Sequence, residues 1–320
     1  MSNSYLPPPI SRAFIWRRAH SLTGIWLVLF LIEHLLTNSQ AALFIGDDGS
    51  GFVSAVNFIK GLPYLPVIEI TLLGIPLFIH GIWGIRYLFQ SEENAFPTDG
   101  SRPSLPQYSR NQAYTWQRIT SWILLFGIAA HVIHMRFLDY PSSAMLEGQH
   151  YYLVHVSHDN GLYTLSKRLG FDLYSASQIQ GVRKSTMEQL GPLQAVENTP
   201  EELIEAQKNR EKMGWLSALE AQKISEGDIL AVSKSFGLAE LLMVRDTFKS
   251  PLMILLYTGL VLAACFHAFN GLWTFMISWG ITLTAASQNL MRSIATGLMV
   301  LIAFLGLAAI WGTYWLNLTT

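Results

Sequence analysis

Cysteine is almost absent from this chain: its single cysteine, Cys265, lies inside a long apolar stretch. A structural disulfide within the chain, a C-x-x-C-H haem attachment and a cysteine-ligated iron–sulfur cluster are therefore excluded. Charge is also scarce, since charged residues make up 13% of 320 positions and the formal net charge is −1. The chain thus lacks the basic excess of a nucleic-acid-binding protein, which argues against that class of partner.

The few charges are unevenly distributed, with 25 of the 43 charged residues lying in 141–250. The remainder contains five apolar stretches long enough to cross a bilayer, which takes about 20 residues. This pattern predicts an all-α integral membrane protein with five transmembrane helices in a bundle and an α+β extramembrane insert. The expected stretches are roughly 20–44, 64–89, 116–138, 251–275 and 291–316, so helices 1–3 occupy 1–140, the insert 141–249 and helices 4–5 250–320.

Arginines in the short loops predict the orientation in the membrane, because cytoplasmic loops are enriched in basic residues. The N-terminus should be cytoplasmic, and the insert and the C-terminus should lie outside. The first apolar stretch is longer than a signal-peptide core, so we expect it to be retained as an anchor. The arginines that carry the orientation are Arg12, Arg17, Arg18, Arg86, Arg102, Arg110, Arg118 and Arg292.

The insert reads as folded. Alternation in YYLVHVSHDNGLYTLS predicts a β-hairpin that turns at Asn160-Gly161, and TPEELIEAQKNREKMGWLSALEAQ predicts a helix capped by Thr199. Alternating strand positions rarely converge on a metal without further ligands, so we do not expect a metal site there. We expect the insert to be a structural cap or a docking surface. Its histidines are His150, His155 and His158.

Four of the apolar stretches each carry a buried-looking histidine: His34, His80, His131 and His267. An ionisable side chain in hydrocarbon is costly and is by default a functional-site candidate. A single intramembrane histidine is more often a packing residue than a ligand. One on each of four predicted helices instead indicates shared ligation.

The depths of these histidines sort them into two pairs. At a rise of 1.5 Å per residue, His34 and His131 lie roughly 24 and 20 Å past the arginines at the cytoplasmic edge. His80 lies roughly 9 Å from that edge, and His267, 16 residues after Pro251 on an inward run, is also nearer the cytoplasm. We call His34 with His131 the outer pair, and His80 with His267 the inner pair.

Paired imidazoles that face each other across a bundle suit the two axial positions of a haem iron. Two pairs at two depths therefore predict two b-type haems. Zinc would need about four ligands at one point, which this arrangement does not supply. Small residues, including Gly24 assigned to His34, would give room for a flat macrocycle, although such residues also let membrane helices approach one another.

Several other polar residues have two possible roles. His134, one turn beyond His131, suits the outer level equally well by spacing. His20 at the cytoplasmic edge would meet a haem propionate or form a snorkelling cluster. The same alternatives apply to Arg17, Arg18 and Arg118.

Two carboxylates also lie within the apolar stretches. Glu69 is about 16 Å further out than His80, where it would exchange protons with a quinol or simply reach the interface. Glu33 lies about 100° round the helix from His34 and should point away from the iron, towards a hydrogen bond with another helix.

The chain resembles the cytochrome b membrane-anchor subunits of succinate:menaquinone oxidoreductase, in the succinate dehydrogenase/fumarate reductase family, and in particular the single-polypeptide, five-helix, dihaem type. The resemblance rests on R-x-x-H-S-L-x-G from Arg17, on the Glu69-to-His80 spacing and on H-x-x-N-G-L-W from His267. These features occur in order, and the resemblance covers the chain outside 141–249.

The resemblance implies two b haems ligated by the four histidines, with His131 chosen over His134 by the Q-R-I-T match at Gln117. It implies a flavoprotein subunit and an iron–sulfur subunit on the cytoplasmic face of a bacterial cytoplasmic membrane. Electrons from succinate would pass through these subunits and the haems to menaquinone, in respiratory complex II of the tricarboxylic acid cycle. Succinate chemistry itself would belong to the partners.

Two alternatives stay open at this point. The same anchor would serve a quinol:fumarate reductase, and its sequence does not fix the direction of turnover. A haem-free proton-coupled transporter would use histidine and glutamate relays. Against the transporter, no inverted pair of Pro/Gly-broken helices marks a substrate site.

Overall fold

The computed structural model describes residues 10–44, 46–92, 94–101, 104–190, 199–225 and 227–319; Arg102 of the orientation pattern lies outside them. The chain forms two compact units. The first unit comprises Met1–Leu36, Pro63–Ala129 and Thr258–Gly306, and the second comprises Thr37–Leu62, Ala130–Tyr257 and Leu307–Thr320.

Ten helices and four strands occur in the described ranges. The helices are α1 (Arg12–Ser39), α2 (Ser50–Lys60), α3 (Leu65–Gln90), α4 (Ser109–Leu138), α5 (Asn160–Leu169), α6 (Ala176–Leu190), α7 (Pro200–Ala221), α8 (Phe236–Thr247), α9 (Pro251–Ser278) and α10 (Ala285–Thr319). The strands are β1 (Ser142–Leu146), β2 (Gln149–Ser157), β3 (Asp172–Tyr174) and β4 (Asp228–Ser233).

Within the described residues, five helices are long and apolar enough to cross a membrane, namely α1, α3, α4, α9 and α10. The predicted fold class is confirmed. Three of these helices begin six to eight residues earlier than the apolar stretches suggested. Hydropathy marks the hydrocarbon layer, whereas the helix itself continues through the polar headgroup region.

In the first unit, a proline locally widens α3. Pro76 has no N–H, so the carbonyl of Leu72 four residues earlier loses its usual helical partner. The structure has a π-helical turn at Ile70–Gly74, and the indole Nε1 of Trp26 donates a 2.5 Å hydrogen bond to the Leu72 carbonyl. The side chain from α1 thereby satisfies a backbone group that would be costly to leave unpaired in lipid.

Glycines allow close helix approach in the same unit. A Cβ on Gly127 would lie 2.7 Å from a methyl group of Leu260, and one on Gly306 would lie 2.6 Å from Val261. Small residues at helix crossings are typical of membrane helices, since association there depends on packing.

The second unit contains an antiparallel sheet in the order β1-β2-β4-β3. The predicted turn at Asn160-Gly161 is wrong, because these residues begin α5. Its cap is Asp159, whose carboxylate accepts a 2.8 Å bond from the Leu162 N–H. The hairpin instead joins β1 to β2 through Glu147 and Gly148, both with positive φ.

The predicted capped helix is confirmed as α7. The Thr199 hydroxyl accepts from the Glu202 N–H, the Glu202 carboxylate accepts from the Thr199 N–H, and Pro200 takes the first helical position. Such a reciprocal cap satisfies two of the N–H groups that a helix start leaves unpaired. Trp215 and Leu219 of α7 are buried against Leu153 and Leu230 of the sheet.

The insert packs tightly on α2, the short helix that follows the first span. A Cβ on Gly237 would lie 2.5 Å from the Val53 carbonyl oxygen, so α8 needs glycine there. The Asn57 amide oxygen accepts from the Gly237 N–H at 2.8 Å, and its Nδ2 donates to Ser235 Oγ at 2.9 Å. Ser235 caps α8. Because Asn57 lies on α2 and binds Ser235, α2 helps to fix the start of α8.

Candidate functional site

The inner pair comes together in the first unit. The ring centres of His80 on α3 and His267 on α9 lie 6.2 Å apart, with an interplanar angle of 81°. With metal–nitrogen bonds of about 2 Å and about 1.2 Å from each nitrogen to its ring centre, two imidazoles on opposite sides of one metal have centres roughly 6 Å apart. The separation would allow both imidazoles to bind one metal ion.

A backbone carbonyl orients His80. Its Nδ1 lies 3.0 Å from the carbonyl oxygen of His20, so Nδ1 carries the proton and donates. That tautomer leaves the lone pair on Nε2, the arrangement in which a second hydrogen bond sets the direction of a metal-binding imidazole.

His20 is part of this site, because its ring stacks on that of His80 at 4.1 Å and 11°. Gly24, one turn later on α1, makes the approach feasible: a Cβ there would lie 2.9 Å from His80 Cε1. The prediction that Gly24 makes room beside His34 is wrong. A glycine's position along its own helix does not tell which neighbour it faces.

Two hydroxyl groups face His267. Its Nδ1 lies 3.5 Å from Thr120 Oγ1 and 3.4 Å from Ser121 Oγ. Both hydroxyls donate their protons to backbone carbonyls of α4, Thr120 at 2.8 Å and Ser121 at 2.6 Å. Their oxygens can therefore only accept from Nδ1–H, which again leaves the lone pair of His267 on Nε2.

α4 also supports the backbone at His267. Gln117 Nε2 donates to the His267 carbonyl at 3.2 Å, and Asn270 Nδ2 donates to Gln117 Oε1 at 2.7 Å. These roles were missed at the sequence level. The available signals were the polar run at 117–121 inside an apolar stretch and Asn270 one turn after the histidine.

The basic residues near the site differ in burial and in their hydrogen-bond partners. Arg118 Nε and His20 Nδ1 are buried with no hydrogen-bond partner in the described ranges. The His20 ring stacks on His80, and Arg118 directly follows Gln117, whose side chain donates to the His267 carbonyl. Arg18 donates to the Ser278 carbonyl at 2.6 Å and lies over the Trp279 ring, whereas Arg17 is exposed. A bound acidic group would therefore find donors in Arg118 and His20 first.

The structure keeps the members of the outer pair in separate units, so that pairing stays a prediction. His34 is half-buried and stacks on Phe30, with ring centres 5.3 Å apart. Glu33 is exposed, and its expected hydrogen bond with another helix stays a prediction; Glu69 is half-buried just before the π-helical turn of α3.

His131 and His134 share one hydroxyl group in the second unit. The Nδ1 atoms of both lie 3.2 Å from the Tyr257 hydroxyl, and His134 Nε2 lies 2.9 Å from Asp139 Oδ2. The contacts fit a His134 that donates from Nε2 to the carboxylate and accepts the Tyr257 proton at Nδ1. The Tyr257 oxygen then accepts from His131 Nδ1–H, which places the His131 lone pair on Nε2.

This chain of contacts distinguishes two histidines that spacing does not. Both nitrogens of His134 are engaged by protein groups, so a metal would have to displace one of them. In His131 the Tyr257 contact instead supplies the orienting hydrogen bond that an axial imidazole needs.

Two of the insert histidines have side-chain contacts among the described residues. His155 Nε2 lies 2.9 Å from Gln222 Oε1, and the His158 ring packs edge-on against Tyr163. Across the described part of the chain, no group of three or more His, Cys, Asp or Glu side chains is arranged to hold a metal ion.

The chain was compared with curated proteins, protein-family models and solved structures. The chain is similar to the succinate dehydrogenase cytochrome b558 subunit of Bacillus subtilis (strain 168). The two are 24% identical over 301 residues, which cover 94% of this chain and 96% of that protein. No protein-family model matches the chain. No solved structure matches it either.

Proposed function

We propose that this chain is the cytochrome b membrane anchor of a succinate dehydrogenase and passes electrons from an iron–sulfur subunit through two b haems to menaquinone. The observation that carries the proposal is the inner pair, whose rings lie 6.2 Å apart. The full-length similarity to a succinate dehydrogenase cytochrome b558 subunit supports the same role.

The residues fit haem better than a tetrahedral metal. His80 and His267 would hold the inner haem through Nε2, and His34 with His131 would hold the outer one. Arg118 and His20 bring buried donors that lack acceptors, and they would bind the propionates. When bound, b haem supplies one-electron transfer at a potential that its axial ligands and their hydrogen bonds set.

Groups of this chain would orient the haem ligands and exchange a proton with menaquinone. The His20 carbonyl and the α4 hydroxyls hold the inner imidazoles in one tautomer. Glu69, half-buried near the outer end of α3 in the predicted orientation, would hold or release a proton for menaquinone. A carboxyl at that depth is costly unless it has such a task or a firm hydrogen bond.

The proposal places the N-terminus in the bacterial cytoplasm and the C-terminus outside. The flavoprotein and iron–sulfur subunits would then bind the cytoplasmic face, and the insert would lie outside. We assign succinate oxidation as the physiological direction, in keeping with the name of the similar protein.

A visible spectrum and a co-purification test this function together. The purified complex should show a b-type reduced-minus-oxidised spectrum, and succinate should produce it when the flavoprotein and iron–sulfur subunits co-purify. His150→Ala is the matched control variant, since His150 is exposed in the insert. A featureless spectrum from intact protein would rule out an electron carrier. It would favour the haem-free proton-coupled transporter instead.

A further inference from the structure

A basic aromatic cleft lies in the first unit between the start of α1 and the end of α3. Its volume is about 290 Å³, just below the roughly 300–1,000 Å³ that is typical of ligand sites. We call it the arginine cleft. Its lining residues are Arg12, Ala13, Trp16, Arg17, Trp83, Arg86, Tyr87 and Gln90.

The charge of this cleft is uncompensated. Three guanidinium groups line it, from Arg12, Arg17 and Arg86, and no carboxylate does. None of the three forms an ion pair in the described part of the chain. Residues 1–11 of the sequence contain no Asp or Glu. Such a site favours an anion, and guanidinium groups suit a phosphate because they can donate two parallel hydrogen bonds.

The aromatic residues indicate a membrane interface. Trp16 and Trp83 pack edge to face with ring centres 4.8 Å apart, and the Arg86 guanidinium lies 5.0 Å from the Trp83 ring centre. The Trp83 indole Nε1 is buried with no hydrogen-bond partner among the described residues. An acceptor oxygen in the cleft would satisfy it.

The helix lengths place the cleft at headgroup depth. α1 has 28 residues and extends roughly 42 Å, whereas the hydrocarbon core is about 30 Å thick. Because Arg12 and Arg17 occupy its first turns and Arg86 the last turns of α3, we place these ends in the polar layer. Phe14 and Ile15 beside the cleft are 49% and 53% exposed, which suits contact with acyl chains.

We propose that the arginine cleft binds the phosphate of an anionic phospholipid, with Arg12 and Arg86 as its main contacts. Basic pockets between membrane helices on the cytoplasmic side typically bind such headgroups. The arginine pattern predicts this end of α1 and α3 to be cytoplasmic. Lipid binding is independent of haem ligation, so its failure would leave the proposed electron-transfer role intact.

The test is lipid retention by the whole purified complex. After delipidation, phosphatidylglycerol is titrated against phosphatidylcholine, and bound lipid is counted by native mass spectrometry. The wild type should prefer phosphatidylglycerol. Arg12→Gln combined with Arg86→Gln should weaken its binding roughly 30-fold, with phosphatidylcholine unchanged. Arg292→Gln is the matched control, since Arg292 is an exposed arginine outside the cleft.

Four outcomes would overturn the proposal. The first is equal binding of the two lipids by the wild type, and the second is unchanged phosphatidylglycerol binding in the double variant. The third is displacement of the lipid by millimolar inorganic phosphate, which would indicate a free-anion site. The fourth is a double variant that keeps its lipid but loses the iron–sulfur subunit or shifts a haem potential, which would assign the cleft to protein docking or to a propionate.

Discussion

The inner pair and the His131–His134 region hold their imidazoles in different ways. At the inner pair the orienting oxygens are a backbone carbonyl and two hydroxyls whose protons are bound to the α4 backbone. In the second unit the orientation passes through side chains only, from Asp139 through His134 and Tyr257 to His131. Backbone-anchored orientation should tolerate single substitutions, whereas a side-chain relay should be sensitive to each member.

The largest expected effect distinguishes the two histidines of the second unit. If the proposed dihaem arrangement is right, His131→Ala should remove one of the two haems, because it deletes a proposed iron ligand. His134→Ala should keep both, because Asp139 and Tyr257 already engage its nitrogens. Haem content per chain, measured as the pyridine haemochrome, checks this. If His134→Ala lost a haem and His131→Ala kept both, the ligand assignment would be reversed.

A smaller effect tests the packing that holds His80. Gly24→Ala would put a methyl group 2.9 Å from His80 Cε1, so the ring must shift. Overpacking of this kind costs about 1–3 kcal/mol, which should appear as weaker retention of one haem during dialysis. Gly297→Ala is the control, since Gly297 lies on α10, which carries no proposed ligand, and nothing lies within 4 Å of a Cβ there.

Equal haem retention in the two glycine variants would contradict the packing argument. It would mean that the stacked His20 and His80 rings have room that the structure does not show.

The smallest expected effects come from removing single hydroxyl groups that orient the histidines. Tyr257→Phe removes the only hydroxyl between His131 and His134 in the relay, and loss of such a contact typically weakens metal retention about 10-fold or more. Ser121→Ala leaves Thr120 Oγ1 beside His267, so its effect should be under about twofold. Redox titration and haem loss rates measure both. A larger effect for Ser121→Ala would undo the contrast between backbone and side-chain control.

Helix rise explains why the closeness of His80 and His267 was predictable from sequence, whereas their shared ligation stays a prediction. A long helix fixes depth at 1.5 Å per residue, so His80 and His267 could be matched without knowing how α3 and α9 rotate. The rotation of each helix about its own axis decides which neighbour a side chain faces, and the sequence does not fix that rotation. Gly24 was assigned to His34 on its own helix, yet it faces His80 on another, and the hydroxyls of α4 turned out to support His267.

Local chemistry explains the error in the insert. Asn160-Gly161 between apolar residues is typical of a hairpin turn, but Asp159 caps a helix at the same place. The hairpin uses Glu147-Gly148, where a non-glycine residue adopts positive φ. A sequence does not reveal which of two competing turns the surrounding sheet stabilises, because that depends on pairing of β2 with β4.

The most direct measurement is haem content in His80→Ala, His267→Ala and the double variant. If both histidines bind one iron, each single variant should retain one haem of two, and the double variant should also retain one, because removing the second ligand of an already lost site costs nothing more. A double variant without haem, or either single variant with both, would contradict a shared iron.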